Sequence, residues 1–154
     1  MWLSIGIVLA TFFFMEFVAW FTHKYVMHGL LWFFHRDHHK KDHDSWFERN
    51  DFFFLIFAIP GAGSMFYGVN SASLVPFFYI GLGITIYGMA YFFVHDIFIH
   101  QRFKIMRRSD NVYFRAIRKA HKIHHKHLGK EQGECFGMLL VPWKYFKEAR
   151  RMRA

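Results

Sequence analysis

Hydrophobic and polar positions fall into long blocks along this chain rather than alternating. Residues 2–22 are apolar save for a few hydroxyls and Glu16. That length suffices to cross a hydrocarbon core, which takes about 20 residues of helix. The run has no basic segment before it, so it reads as a span rather than a cleaved leader. Residues 52–94 form a second block with no formal charge, too long for one crossing. Asn70, Ser71 and Ser73, followed by Pro76, interrupt it with turn chemistry. The block therefore predicts a helical hairpin, with residues 52–69 crossing one way and 74–94 returning. Residues 101–154 mix basic and apolar positions, as in the stretch 112–121. That mixture suits an amphipathic helix, lying at a bilayer surface or capping the spans as a soluble helix. A short apolar stretch near 136–146 leaves room for a shallow fourth element. The expected fold class is all-α integral membrane: three or four transmembrane helices with a cytoplasmic helical His-rich cap, in one domain over 1–154.

Composition sharpens this picture. The chain has 154 residues, of which 54% are hydrophobic and 22% aromatic, including 22 Phe. A water-soluble domain of this size could not bury them all. The single cysteine, Cys135, rules out an internal disulfide framework and leaves a Cys-rich zinc or iron–sulfur site without ligands.

Charge placement says more than the net +9. Residues 1–22 and 52–94 hold no Lys or Arg; all 20 basic residues lie in 23–51 and 95–154. The positive-inside rule then places 23–51 and 95–154 in the cytoplasm, with 69–74 a short outside turn. A multi-pass protein of the cell inner membrane is expected. The basic residues interleave with membrane-adjacent apolar ones and no recognition motif appears, so nucleic-acid binding is not expected.

Ten of the twelve histidines fall into four clusters, all on that one predicted side. They are His23-x4-His28, His35-x2-His38-His39, His95-x4-His100 and His121-x2-His124-His125. Neutral imidazole is the commonest metal ligand among side chains. In the triplets, positions i, i+3 and i+4 share a helix face, so three imidazoles could converge on one point. The pairs are harder: five residues of α-helix leave two side chains about 140° apart. Either a π-bulge brings each pair together or the helix ends between its members, and Gly29 offers such a stop after His28. Ten imidazoles exceed one ion's needs, which predicts two ions with about five nitrogens each and an open position for an exogenous ligand. Imidazole without thiolate fits iron, zinc, copper or nickel rather than magnesium or calcium. His43 and His127, outside the clusters, are expected at the surface or in an outer layer.

Metal-bound histidines usually pass their second N–H to a carboxylate or carbonyl. Asp37, Glu48, Asp51 and Asp96 are candidates, whereas Asp42 and Asp44 read as solvated loop charges. Glu16, a carboxyl within a span, is functional by default. Gly81, Thr85 and Gly88 line one face of the third span. Close helix packing is the first explanation, and a slot for an elongated apolar substrate the second.

These residues carry a resemblance. Met15-Glu16, the His23–His28 pair, His35-Arg-Asp-His-His39 and Phe47-Glu-Arg-Asn-Asp51 contribute to it. So do His95-Asp-Ile-Phe-Ile-His100-Gln-Arg102, Ala120-His-Lys-Ile-His-His125 and Gly129-Lys-Glu131. Over nearly its whole length the chain resembles the bacterial β-carotene hydroxylases, within the fatty acid hydroxylase and sterol desaturase superfamily of membrane di-iron oxygenases. It departs from that branch at residues 40–44, where a Pro- and Gly-containing segment is expected, and at Lys104, where proline is expected. The resemblance implies two Fe ions, with Zn an alternative in isolated protein, held by the ten clustered histidines. It also implies O2-dependent hydroxylation of C3 of the β-ionone ring of β-carotene and related carotenoids, through β-cryptoxanthin to zeaxanthin. The electron donor would be a separate ferredoxin-type protein, since the chain has no flavin or nicotinamide fingerprint. Two rivals remain: a fatty acid or sterol hydroxylase or desaturase of the same superfamily, and a His-rich membrane metal carrier or sensor.

Overall fold

The computed structural model describes residues 1–105, 109–131 and 133–151. Among them every regular element is helical. Helix α1 (Trp2–Phe21) runs without a break into a π-helical stretch, Thr22–Leu30, and then α2 (Trp32–His39). A 3-10 turn, Arg49–Phe52, leads into α3 (Phe53–Asn70). The chain reverses through a second 3-10 turn, Ala72–Leu74, into α4 (Val75–Phe92), which continues as a π-helix, Phe93–Ile99. Helices α5 (Val112–His124) and α6 (Trp143–Arg151) complete it.

Three continuous helices are long and apolar enough to cross a membrane: Trp2–Leu30, Arg49–Asn70 and Ala72–Ile99. They contain the three predicted spans, and the first and third run past the apolar blocks to carry the histidine pairs. The polar break behaves as its residues require. Asn70 Nδ2 donates to the Phe66 carbonyl at 2.6 Å, Ser71 and Ser73 hydroxyls pair at 2.9 Å, and Pro76 sits in the first turn of α4. Residues 136–142 form no regular helix and α6 has only nine residues, so there is no fourth span among the described residues.

The spans pack through small residues. A Cβ on Gly81 of α4 would lie 2.5 Å from the Gly61 carbonyl of α3, and one on Gly83 would lie 2.7 Å from Thr11 Cβ of α1. Both glycines therefore let backbones approach. Gly88 has open space around it. The stripe of small residues is thus helix packing at Gly81. Large apolar side chains such as Phe13, Phe54, Phe66 and Met89 stay exposed on the outer faces, as lipid-facing residues do.

Helix α5 is amphipathic. Asn111 caps it by accepting the Tyr113 and Phe114 N–H groups. Its buried face, Ala116 and Ala120, packs on Tyr145 and Ala149 of α6, while Ile117 packs with Val94 and Met138. The cap is therefore docked onto the end of α4 and onto the 136–142 loop.

Candidate metal centre

The first His-x4-His pair lies within π-helical backbone, and the second runs from inside the stretch Phe93–Ile99 to its C-cap, His100. Hydrogen bonds five residues apart, Leu31 N to Val26 O at 2.7 Å and His100 N to His95 O at 2.9 Å, mark the wider turn. Widening the turn brings residues five apart onto one face, where a straight α-helix would splay them. The π alternative holds at both pairs. Gly29 ends nothing: the first π stretch runs through it to Leu30.

The four clusters meet at one end of the helix bundle in two groups. His23, His28, His35, His39 and His124 bring five ring nitrogens within 4.8 Å of one another, all buried. His38, His95, His100 and His121 bring four within the same distance, all buried except the half-buried His100. His125 joins the second group, its Nε2 2.8 Å from His121 Nε2. All ten predicted histidines are therefore brought together, but the triplets do not each converge on one point. His35 and His39 serve the first group while His38 serves the second. His121 and His125 serve the second while His124 serves the first. A turn of helix carries i and i+4 on one line and i+3 beside it, so each triplet straddles both positions. The result is a pseudo-two-fold arrangement in which each group draws a π-helical pair, the i and i+4 members of one triplet and the i+3 member of the other.

The outward nitrogens fix the chemistry of the inward ones. Nδ1 donates to main-chain carbonyls from His23 (Phe136, 3.0 Å), His28 (Lys130, 3.1 Å), His39 (His127, 3.0 Å) and His124 (Glu134, 2.8 Å). A carbonyl only accepts, so each of these Nδ1 atoms carries the proton and each Nε2 turns a lone pair inward. His28 and His124 then point two lone pairs at each other across 3.2 Å, with no hydrogen available between them in the neutral form. A cation resolves that contact. Protonation is opposed: burial pushes His39 down to about 4 and His124 down to about 3, and holds His35, His38 and His121 well below the ordinary range. A dry set of neutral imidazoles fits a transition metal.

Around this core lies an outer layer, only partly foreseen. Glu48 accepts from His38 Nδ1 at 2.8 Å and Asp96 from His95 Nδ1 at 3.1 Å, as expected of both. Asp51 instead binds Arg102 at 2.6 Å, and Asp37 turns away to the Arg49 N–H at 2.7 Å and His43 at 3.2 Å. His43 thus occupies an outer layer, and His127 contributes its carbonyl. Arg102 also reaches Glu48 and Asp96, each at 3.2 Å, and ties the three carboxylates together. Asn50, which accepts from His35 Nδ1 at 2.6 Å, Arg102 and the four carbonyls were missed. Asn50 and Arg102 stand inside motifs, which was the available signal; a backbone carbonyl gives none.

Among the described residues Glu16 forms no ion pair. Its carboxylate accepts the Tyr87 hydroxyl at 2.7 Å and the N–H groups of Met138, Leu139 and Leu140 at 2.9 to 3.1 Å. It pins the loop whose Phe136 ring packs over His23, His28 and His124, at centroid distances of 5.5, 5.1 and 5.2 Å.

The chain has matches among known proteins. A family model described as fatty acid hydroxylase covers residues 8–147. The chain belongs to the fatty acid hydroxylase family. It is 35% identical over 137 residues to a β-carotene hydroxylase of Paracoccus sp. (strain PC1), covering 88% of this chain and 83% of that protein. With the β-carotene hydroxylase of Pseudescherichia vulneris it shares 38% over 133 residues, 86% of this chain and 74% of the relative. The chloroplastic β-carotene 3-hydroxylase of Gentiana lutea is 40% identical over 142 residues, which is 91% of this chain but 42% of the plant protein. The chain spans less than half the length of the plant relatives it matches. No solved structure matches it.

Proposed function

We propose that this chain is a membrane non-haem di-iron oxygenase that hydroxylates C3 of the β-ionone rings of β-carotene, giving β-cryptoxanthin and then zeaxanthin. The facing lone pairs of His28 and His124, inside a buried set of imidazoles, carry the reading. The ten clustered histidines hold two ions, iron in the working enzyme. Bound there, an iron pair supplies the activation of O2 and the oxidation of a ring C–H bond.

The chain's own residues orient and exclude. Carbonyls and carboxylates lock six of the ten imidazoles with Nε2 inward, and the Asn50 amide does the same for His35. The Phe136 ring covers the first group and shuts water out on that side. An open groove of about 450 Å³ runs from the outer face of α1 to this ring, lined by Phe13, Phe17, Trp20, Phe136 and Leu140. Its aromatic walls suit a hydrocarbon ring entering from the bilayer, because an apolar solute has no reason to cross water first.

Electrons come from a separate ferredoxin-type protein, for which the basic cap is a complementary surface. The histidine end faces the cytoplasm of the inner membrane, since the predicted topology puts all 20 basic residues there. The names of the bacterial and plant relatives support the carotenoid substrate over fatty acids or sterols. A metal carrier needs polar groups along its spans. Glu16, the sole charge within 1–22 and 52–94, is already occupied by four donors.

Expression in a host that accumulates β-carotene tests the proposal. Chromatography of the pigments should show β-cryptoxanthin and zeaxanthin. Unchanged β-carotene in cells whose membranes contain the metal-loaded protein would overturn the substrate, and hydroxylated lipids in its place would move the reading to the fatty acyl or sterol branch.

A further inference from the structure

The two histidine groups are built alike but backed differently. With His125 included, each draws on five imidazoles in the same pseudo-symmetric pattern. Behind the first group every Nδ1 acceptor is uncharged: the carbonyls of Phe136, Lys130, His127 and Glu134, and the Asn50 amide. Behind the second, the described Nδ1 acceptors are the carboxylates of Glu48 and Asp96. Asp51 adds a third carboxylate, and Arg102 bridges all three. Among the described residues, three carboxylates meet one guanidinium on that flank. The buried carboxylate nearest in sequence to the first group's ligands, Asp37, binds Arg49 and His43 and touches no clustered histidine.

An acceptor behind an imidazole decides how strongly the opposite nitrogen donates. A carboxylate pulls the Nδ1 proton further than a neutral carbonyl does, raising the basicity of Nε2, and it brings negative charge towards the ion. Ligand type is matched, with five imidazoles lying within 4.8 Å of one another in the first group and four in the second, so this backing is the chemical difference between the two positions.

We propose that the two metal positions are unequal, the one formed by His38, His95, His100 and His121 holding its ion more tightly because Glu48 and Asp96, fixed by Arg102, stand behind it. Glu48, Asp96 and Arg102 are positioning residues that act through His38 and His95. The inference rests on the metal-centre reading above and refines it.

Metal titration tests it without any turnover. The full chain in detergent, stripped with a chelator, is titrated anaerobically with 57Fe(II) and followed by Mössbauer spectroscopy and metal analysis. Two binding steps are expected, with one iron environment filled at the first equivalent and a second appearing afterwards. Glu48→Gln and Asp96→Asn should each weaken the first step by about 10- to 100-fold and leave the second unmoved. Asn50→Asp, which puts a carboxylate behind His35 in the first group, should strengthen the second step instead, and this arm holds even if the Glu48 variant folds poorly. Two equivalents bound with one affinity and one spectrum would overturn the inference while leaving the metal centre standing. Equal weakening of both steps by Glu48→Gln would also overturn it. Failure of the unaltered protein to bind iron would remove the metal centre itself.

Discussion

His35 and His38 leave the same turn of α2 and point into different histidine groups. His35 Nε2 lies 3.1 Å from His23 Nε2 in the first group, whereas His38 Nε2 lies 3.0 Å from His95 Nε2 in the second. His35→Ala and His38→Ala should therefore each cost about one metal equivalent per chain, from opposite positions, and both should abolish hydroxylation. Metal analysis of each purified variant, with Mössbauer spectra to say which environment is lost, checks this. Loss of the same environment in both variants would contradict the split.

Glu16 holds the loop that carries Phe136. Glu16→Ala strands three N–H groups and the Tyr87 hydroxyl, and should destabilise the protein by roughly 3–5 kcal/mol. Tyr87→Phe removes one donor and should cost about 1–2 kcal/mol. Thermal unfolding in detergent should rank the two in that order. A Glu16→Ala protein as stable as the parent would show that the carboxylate is not a structural anchor.

Two glycines of α4 should respond oppositely to the same change. Gly81→Ala drives a methyl into the Gly61 carbonyl and should cost roughly 1–3 kcal/mol. Gly88→Ala meets open space and should be neutral or stabilise by up to about 1 kcal/mol. Melting temperatures of the pair, measured side by side, decide this. Equal losses would mean that α4 packs differently.

Acid should destabilise the metal-free protein. His39 at about 4 and His124 at about 3 titrate below the ordinary 6.5 because burial opposes their charge. The unfolded chain therefore takes up these protons first. Stability is full above pH 6.5 and is lost as pH falls from there through about 4 and about 3. Metal release should follow the same direction, since a protonated imidazole cannot ligate. Melting curves of the chelated protein across this range provide the check, and a melting temperature that rose on acidification would refute the burial argument.

Much of the protein is legible in its amino-acid order because the deciding physics is local. A run of apolar residues must cross lipid whatever lies beside it, so the three spans follow from length and charge alone. Spacing is local too. A spacing of five between histidines already demands a wider turn or a helix end, and the i to i+5 hydrogen bonding at His23–His28 and His95–His100 answers that demand. The ten imidazoles announce themselves by their repetition.

What tertiary structure alone decided concerns partners far apart in the chain. Whether His38 joins His35 or His95 depends on how α2 meets the end of α4, and no spacing within α2 contains that. The carbonyls of Phe136, Lys130, His127 and Glu134 hold the tautomers of four imidazoles, yet every residue has a carbonyl, so none stands out before folding. Glu16 reads in the sequence as an isolated charge within a span. Only the fold, which brings Tyr87 and residues 138–140 onto α1, supplies the donors that satisfy it, because a buried carboxylate must find partners wherever the fold brings them.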